Sequence, residues 1–251
     1  MNKISKTIIK ESTDVPVRLN KYLSDAGFCS RREADRLIED GKVFINGSAA
    51  LLGQKVCKDD EVMVNGKIIT PNDEMILIAF NKPVGVECTT DSDNPNNIID
   101  CIKYPLRIYP IGRLDKNSSG LILLTNTGEI VNKILKSSNY HEKEYVVKVD
   151  RPLTKDFLAG MKNGVEIFLE DGAKKVTTRP CLVEAIDKCS FKIILTQGYN
   201  RQIRRMCQTL GYNVISLNRI RIMNINLGNL PLGHYRNVSE GEIKKLLSSL
   251  K

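Results

Sequence analysis

The sequence contains only two histidines, His141 and His234, which stand far apart and have no obvious nucleophile beside them. A Ser-His-Asp hydrolase needs a histidine within hydrogen-bond reach of its nucleophile, so that class of enzyme is disfavoured. The seven cysteines include no C-x-x-C pair, whereas a structural zinc site needs four nitrogen or sulfur ligands at recognisable spacing. We therefore expect reduced cysteines and no metal site.

Long apolar stretches are also missing. No run of about 18 apolar residues occurs, so we expect no membrane-spanning helix. The first ten residues lack the apolar core of a signal peptide, which predicts a cytoplasmic protein. The 251 residues, of which 41% are apolar and 27% charged, are sufficient for one large globular domain or two smaller ones.

Positive charge exceeds negative charge, since 38 Lys and Arg against 29 Asp and Glu give a net charge of +9. The segment 188–239 carries eight basic residues and no acidic residue. A solvated surface is the simpler explanation of a charge run, but the complete absence of acids and the excess of arginine favour a phosphate-binding surface. The eight residues are Lys188, Lys192, Arg201, Arg204, Arg205, Arg219, Arg221 and Arg236.

The chain divides into two patterned regions. Residues 1–16 are polar and predict a flexible N-terminal segment, residues 17–64 a small domain, residues 65–75 a linker and residues 76–251 a larger domain. Many short strands accompany a few helices in the larger domain without a regular βαβ alternation, which predicts an α+β fold.

The small domain begins with two predicted helices. One spans Arg18 to Ala26, and the other follows a capping box formed by Ser30 and Glu33 and extends to Asp40. Basic side chains on these helices beside a small sheet predict an RNA-docking module, although many small α+β units share the pattern. The basic residues are Arg18, Lys21, Arg31, Arg32 and Arg36.

A third predicted helix spans Arg201 to Leu210, with Asn200 as its N-cap. Its apolar stripe leaves Arg201 and Arg205 on the opposite face, while Arg204 lies on the flank. We expect Arg204 to reach sideways into a cleft, and the other two arginines to remain in solvent or on a nucleic-acid backbone.

Asp115 is the candidate carboxylate. It lies in a glycine-bounded turn, Gly112-Arg113-Leu114-Asp115-Lys116-Asn117-Ser118-Ser119-Gly120, directly before the apolar strand Leu121–Leu124. A single aspartate in a turn is more often structural than catalytic, so the turn alone does not decide its role.

Four ordered blocks of the chain resemble the RsuA-like ribosomal RNA pseudouridine synthases. They are Lys82-Pro83-x-Gly85, Gly112-Arg113-Leu114-Asp115-x-x-Ser118-x-Gly120-Leu121, Lys143-Glu144-Tyr145 and Asn200-Arg201-Gln202-Ile203-Arg204-Arg205-Met206. Residues 17–64 resemble the S4-type RNA-binding domain that precedes the catalytic domain in this group. Segments around Asn132, His141 and Arg221 most resemble the F-type synthases of large-subunit ribosomal RNA.

The resemblance implies an isomerase that turns a uridine of RNA into pseudouridine, with no cofactor, on a mixed or antiparallel sheet with flanking helices. Asp115 would act at the ribose or the base, either as a nucleophile or as a base. Arg204 would pair with Asp115, and Tyr145 would stack on the flipped uracil. Arg113 would hold the RNA backbone or fill the space left by the base. Phosphates would be bound by Arg201, Arg205, Arg219 and Arg221.

Large-subunit ribosomal RNA is the expected partner, with the enzyme acting as a monomer. Small-subunit ribosomal RNA and transfer RNA remain open as substrates. A catalytically inactive RNA-binding assembly factor is the alternative of a different class, but Asp115, Tyr145 and Arg204 favour an enzyme. A small-molecule enzyme fits poorly because no phosphate-cradling glycine loop is present.

Overall fold

The computed structural model describes residues 15–71, 74–136, 139–169 and 174–250. All but the last two residues of the predicted flexible segment 1–16 lie outside these ranges. The chain forms two compact units. Of the described residues, the first unit comprises those from Val15 to Ile76 with Tyr104–Ile108 and Thr125–Gly128, and the second unit comprises the others.

The described part of the first unit contains two helices and six short strands. Its four-stranded antiparallel sheet has the order β3-β2-β5-β6, and β1 pairs with β4. The elements are β1 (Val17–Arg18), α1 (Leu19–Asp25), α2 (Arg31–Glu39), β2 (Val43–Ile45), β3 (Ser48–Ala49), β4 (Lys55–Val56), β5 (Val62–Val64) and β6 (Lys67–Ile68).

Both predicted helices of this unit are present, each slightly shorter than expected. Arg18 has extended backbone angles and serves as the N-cap, so α1 begins at Leu19. Ser30 caps α2 by accepting a hydrogen bond from the Glu33 amide at 3.1 Å, as the capping pattern predicts. The helices bury Leu19, Leu23 and Ile38 against the small sheet, which forms the core of the unit.

The second unit is built on a nine-stranded sheet whose main path has the order β13-β14-β10-β15-β9-β7-β17, with helices packed against it. Strand β10 pairs antiparallel with both β14 and β15, whereas β15 pairs parallel with β9. The sheet is therefore mixed, and the predicted α+β fold is confirmed. Its elements are β7 (Leu77–Lys82), α3 (Ile98–Ile102), β8 (Tyr109–Pro110), β9 (Ser119–Thr125), α4 (Gly128–Leu135), β10 (Lys143–Val149), α5 (Lys155–Asn163), β11 (Glu166–Phe168), β12 (Lys175–Thr177), β13 (Leu182–Ala185), β14 (Ser190–Leu195), α6 (Gln202–Thr209), β15 (Val214–Ile222), β16 (Ile225–Asn226), β17 (Tyr235–Asn237) and α7 (Glu240–Ser248).

Gly120 is the point where β9 meets β15. The register pairs Gly120 with Arg219, and the backbone of Gly120 has φ +103°. A Cβ atom here would lie 2.6 Å from the Arg219 nitrogen, and closer still to the Arg219 carbonyl oxygen and Asn218 Oδ1. Only glycine therefore allows the strand that follows the Asp115 turn to approach β15.

The start of α6 differs from the prediction. The N-cap is Arg201, in the left-handed region with φ +51°, and no side chain caps the helix. Asn200 does not cap the helix, and its Oδ1 accepts from Arg205 Nη2 at 3.4 Å. The turn is held by Gln202, whose amide donates to Tyr199 O and whose Oε1 accepts from Tyr199 N. The buried stripe that includes Ile203, Met206 and Cys207 agrees with the helical periodicity.

Candidate active site

The second unit contains a cavity of about 590 Å³ into which several sequence blocks converge. Its wall is formed by the turn that carries Asp115, the start of β10, the end of β15, and the segment from Leu195 to Arg204. This size lies within the range of about 300–1,000 Å³ that is typical of small-ligand sites. Asp115, Arg204 and Tyr145 all line it, although they are far apart in the sequence.

The turn around Asp115 is held by backbone hydrogen bonds on both sides. The Ser118 amide donates to the Asp115 carbonyl oxygen at 3.0 Å, and the Gly85 amide donates to the Lys116 carbonyl oxygen at 2.8 Å. The Leu114 amide donates to Cys88 Sγ at 3.3 Å. The backbone is thus fixed while the Asp115 carboxylate stays 27% exposed at the cavity, which is the arrangement that a reacting carboxylate needs.

Arg204 extends from α6 to the turn. Its Nε lies 3.7 Å from Asp115 Oδ2, and its Nη2 donates to the Asn117 carbonyl oxygen at 2.7 Å and to Ser118 Oγ at 3.3 Å. A further hydrogen bond runs from Nη1 to the Val214 carbonyl oxygen. Burial, and then the positive charge of Arg201, lower the pKa of the Arg204 guanidinium from its ordinary value. Arg204 thus ties the Asp115 turn to α6 and β15.

Tyr145 lies on β10 with only 8% of its surface exposed. The register places it opposite Arg219 on β15, and Arg219 Cζ lies 6.0 Å from the centroid of the Tyr145 ring. The ring forms an apolar wall of the cavity with a phenol edge, and such a wall suits stacking against a planar base.

Arg219 is buried in the cavity wall. Only 3% of its surface is exposed, and its Nε donates to the Leu121 carbonyl oxygen at 2.7 Å. It is buried because β15 pairs with both β9 and β10 and is therefore an interior strand of the sheet. Since Arg219 lines the cavity, its predicted phosphate contact stays a prediction.

Arg221 is likewise already paired. Its Nε lies 2.6 Å from Glu144 Oε2 and its Nη2 lies 3.0 Å from Glu142 Oε2. Two carboxylates therefore offset its charge, and the predicted phosphate contact at Arg221 stays a prediction.

The other predicted RNA-binding residues of the second unit divide into two groups. Arg113 and Arg201 are exposed and line the mouth of the cavity. Arg205 is half-buried, does not line the cavity itself, and donates to the Phe168 carbonyl oxygen and to Asn200 Oδ1. The structure therefore brings two of these arginines to the site, and places the third against β11.

In the first unit the predicted RNA-binding residues lie at the end of β1 and on α1 and α2. Lys21 pairs with Asp25, and Arg36 pairs with Glu33 at 3.4 Å. The remaining three, Arg18, Arg31 and Arg32, are exposed. Arg31 and Arg32 begin α2, where positive charge opposes the helix dipole by about 0.3–1 kcal/mol per residue. A polyanion bound at this end would offset that cost.

Two lysines escaped the sequence reasoning. Lys82 is fully buried, and its Nζ donates to the carbonyl oxygens of Pro83 and Val86 at 2.8 and 2.7 Å. These two hydrogen bonds hold the chain that leaves β7, and burial lowers the pKa of Lys82. Lys143 lines the cavity itself. Both belong to sequence blocks that carry the family resemblance, but their residue type alone did not indicate a role.

Within the described ranges, no group of three or more His, Cys, Asp or Glu side chains is arranged to hold a metal ion. The helices of the same ranges include none that is long and apolar enough to span a membrane.

Comparison with known proteins finds two families. Residues 76–209 match the model of the RNA pseudouridylate synthases, and residues 17–62 match the S4 domain.

Among curated relatives, the dual-specificity RNA pseudouridine synthase RluF of Salmonella typhi is 50% identical over 241 residues, which cover 95% of this chain and 81% of that protein. The ribosomal large subunit pseudouridine synthase B of Bacillus subtilis (strain 168) is 38% identical over 235 residues, 91% of this chain and 95% of that protein. A crystal structure of a pseudouridylate synthase superposes with a TM-score of 0.66 at 30% identity, covering 92% of this chain and 99% of that one.

Proposed function

The chain belongs to the RNA pseudouridylate synthase family and carries an S4 domain, and we propose that it isomerises a specific uridine of large-subunit ribosomal RNA, with Asp115 as its catalytic carboxylate. The single observation that carries the proposal for the site is the Asp115–Arg204 pair, which lies at 3.7 Å on the wall of the 590 Å³ cavity. The proposed RNA target is supported by the relative named for the large ribosomal subunit.

The chemistry requires a nucleotide to enter the cavity. In the isomerisation the N1–C1′ bond of uridine breaks, the uracil turns, and a C5–C1′ bond forms while the C5 hydrogen leaves as a proton. The reacting atoms are inaccessible in a stacked helix, so the nucleotide must flip out of the RNA. The cavity, with Tyr145 as one apolar wall, has the dimensions and the surface that a flipped uridine needs.

Each proposed role follows from a contact. Asp115 presents its partly exposed carboxylate to the ribose or base, and Arg204 supplies the counter-ion and fixes the turn through Asn117 and Ser118. Tyr145 stacks on the base.

Binding of the RNA beyond the flipped nucleotide is assigned to two sets of arginines. Arg113 and Arg201 at the cavity mouth contact phosphates beside the flipped nucleotide. Arg31 and Arg32 at the start of α2 dock a second part of the RNA. The net charge of +9 supports this electrostatic component. We further propose that the protein acts as a cytoplasmic monomer.

The test uses uridine tritiated at C5, because isomerisation releases that label to water. Purified protein is incubated separately with unmodified large-subunit, small-subunit and transfer RNA transcripts. We expect release from large-subunit RNA, in a stoichiometry of about one per specific site. The relatives named dual-specificity make a second RNA substrate a defined outcome. Release from transfer or small-subunit RNA alone would contradict the proposed target, and release from none would contradict the function.

A further inference from the structure

Lys143 is a cavity-lining cation that the roles above leave unused. It begins β10, and its side chain is half-buried in the cavity wall. Among the described residues no carboxylate lies within 4.0 Å of its Nζ, and its hydrogen bond to the His141 carbonyl oxygen is long, at 3.5 Å. A partly desolvated ammonium without a carboxylate is costly unless a ligand pairs with it. Lys143 is therefore positioned to bind something that enters the cavity.

The strand geometry indicates which part of the ligand it meets. Lys143 and Tyr145 are two residues apart on β10, so their side chains leave the same face of the strand, about 7 Å apart along it. A base stacked on the Tyr145 ring presents its flat face to the tyrosine and its carbonyl edge sideways. Since Lys143 and Tyr145 both line the cavity, we infer that the ammonium reaches the edge of such a base.

We propose that the Lys143 ammonium donates a hydrogen bond to a carbonyl oxygen of the flipped uracil and stabilises the uracil anion that forms during isomerisation. This role rests on the proposed function and deepens it. When the N1–C1′ bond breaks, its electron pair stays with the base and is shared by N1, O2 and O4, while C1′ is left electron-deficient. C5 then bonds to C1′, C5 loses its proton to water, and N1 takes up a proton, so the product is an isomer of the substrate.

The charge environment fits this role. Burial, and then the positive charge of Arg219 on β15, lower the pKa of Lys143 from 10.5 to about 8. Two cations thus lie beside Tyr145, and an anionic base relieves their repulsion. Arg221 and Lys192, on the two strands that flank β10, are both engaged by Glu144, the neighbour of Lys143. His141 and Glu142 precede the strand, Tyr145 lies on it, and Asp115 and Arg204 line the same cavity from the facing turn and helix.

Three variants test the proposal on unmodified total RNA tritiated at uridine C5. Lys143→Met removes the charge and keeps the volume, Lys143→Arg keeps the charge, and Lys148→Met is the control on the exposed face of the same strand. Replacing a partly buried charge by an apolar side chain of similar volume is usually neutral or stabilising, so we expect all three to fold, and thermal unfolding checks this.

We expect Lys143→Met to lower kcat about 10²–10³-fold, the loss typical of one donor to a developing anion, with little change in RNA affinity. Wild type should lose activity as the pH rises through about 8, because the ammonium is deprotonated there. Lys143→Arg should retain activity and lack this decline, since arginine stays charged up to about pH 12.

A Lys143→Met kcat equal to that of Lys148→Met would overturn the role of Lys143, and so would an unchanged alkaline decline in Lys143→Arg. In either case, the proposed function remains intact if the wild-type protein releases tritium and the Asp115→Asn variant does not. No release by wild type would overturn both proposals together.

Discussion

Replacing Gly120 by alanine should damage the second unit, because β9 and β15 have no room for a methyl group at this point. The backbone angle φ +103° is one that L-residues rarely adopt, which costs of order 1–3 kcal/mol. The added Cβ would lie 2.6 Å from the Arg219 nitrogen and closer still to two oxygens, and overpacking of this kind costs about 1–3 kcal/mol more. We expect a total loss of about 2–6 kcal/mol, a large part of the roughly 5–15 kcal/mol that stabilises a typical domain.

Gly241→Ala is the matched control, since it makes the same chemical change in open space. Gly241 lies in α7, without a left-handed backbone angle, and a Cβ there meets nothing within 4 Å. Alanine in a helix is favoured over glycine by up to about 0.5–1 kcal/mol, so this variant should be unchanged or slightly more stable.

Thermal unfolding followed by far-UV circular dichroism measures both variants, because the chain lacks the tryptophan that fluorescence would use. A loss of 1 kcal/mol lowers Tm by about 2–4 °C in a domain of this size, so Gly120→Ala should melt at least about 4 °C below wild type. Activity should fall as well, since the Asp115 turn leads directly into β9. A Gly120→Ala protein that melts with wild type would refute the account of how β9 approaches β15.

Two further predictions concern charge. Arg32→Ala should weaken RNA binding and reduce the log–log salt slope by about one unit; affinities measured across salt concentrations check this, and an unchanged slope would exclude a phosphate contact at Arg32. Glu242 accepts two 2.8 Å hydrogen bonds from Arg236, and this partner lowers its pKa to about 2. Its folded pKa lies below the unfolded value of about 4.3, so the stability it supplies is present above pH 4–5 and is lost as the pH falls toward 2. Glu242→Gln should lower stability at pH 7 and have no effect near pH 2, which acid titration of Tm against wild type measures.

Local patterns predicted the local structure well. The Ser30 capping pattern and the spacing of apolar residues predicted the end of α2 to within one residue. The apolar stripe of α6 predicted which side of that helix is buried. The same wheel places Arg204 on the flank, and the structure has it at the cavity, beside Asp115. These features depend on residues three or four positions apart, which the helix itself brings together.

Long-range pairing set the features that the sequence did not predict. Arg219 is buried because β15 lies between β10 and β9. Arg221 is paired with Glu142, just before β10, and with Glu144 on β10. A charge run in the sequence does not reveal which of its members face a neighbouring strand. The start of α6 was missed for a local reason, because Arg201 adopts a left-handed angle that is unusual for arginine.

The role of Asp115 is tested most directly by Asp115→Asn in the tritium-release assay, with RNA affinity and Tm measured on the same preparation. The substitution is isosteric, and Arg204 keeps its hydrogen bonds to Asn117, Ser118 and Val214, so folding and RNA binding should be close to wild type. We expect turnover to fall at least about 10³-fold, as when a catalytic carboxylate is lost. Near-normal release by a folded, RNA-binding Asp115→Asn protein would contradict the assignment of Asp115 as the catalytic carboxylate.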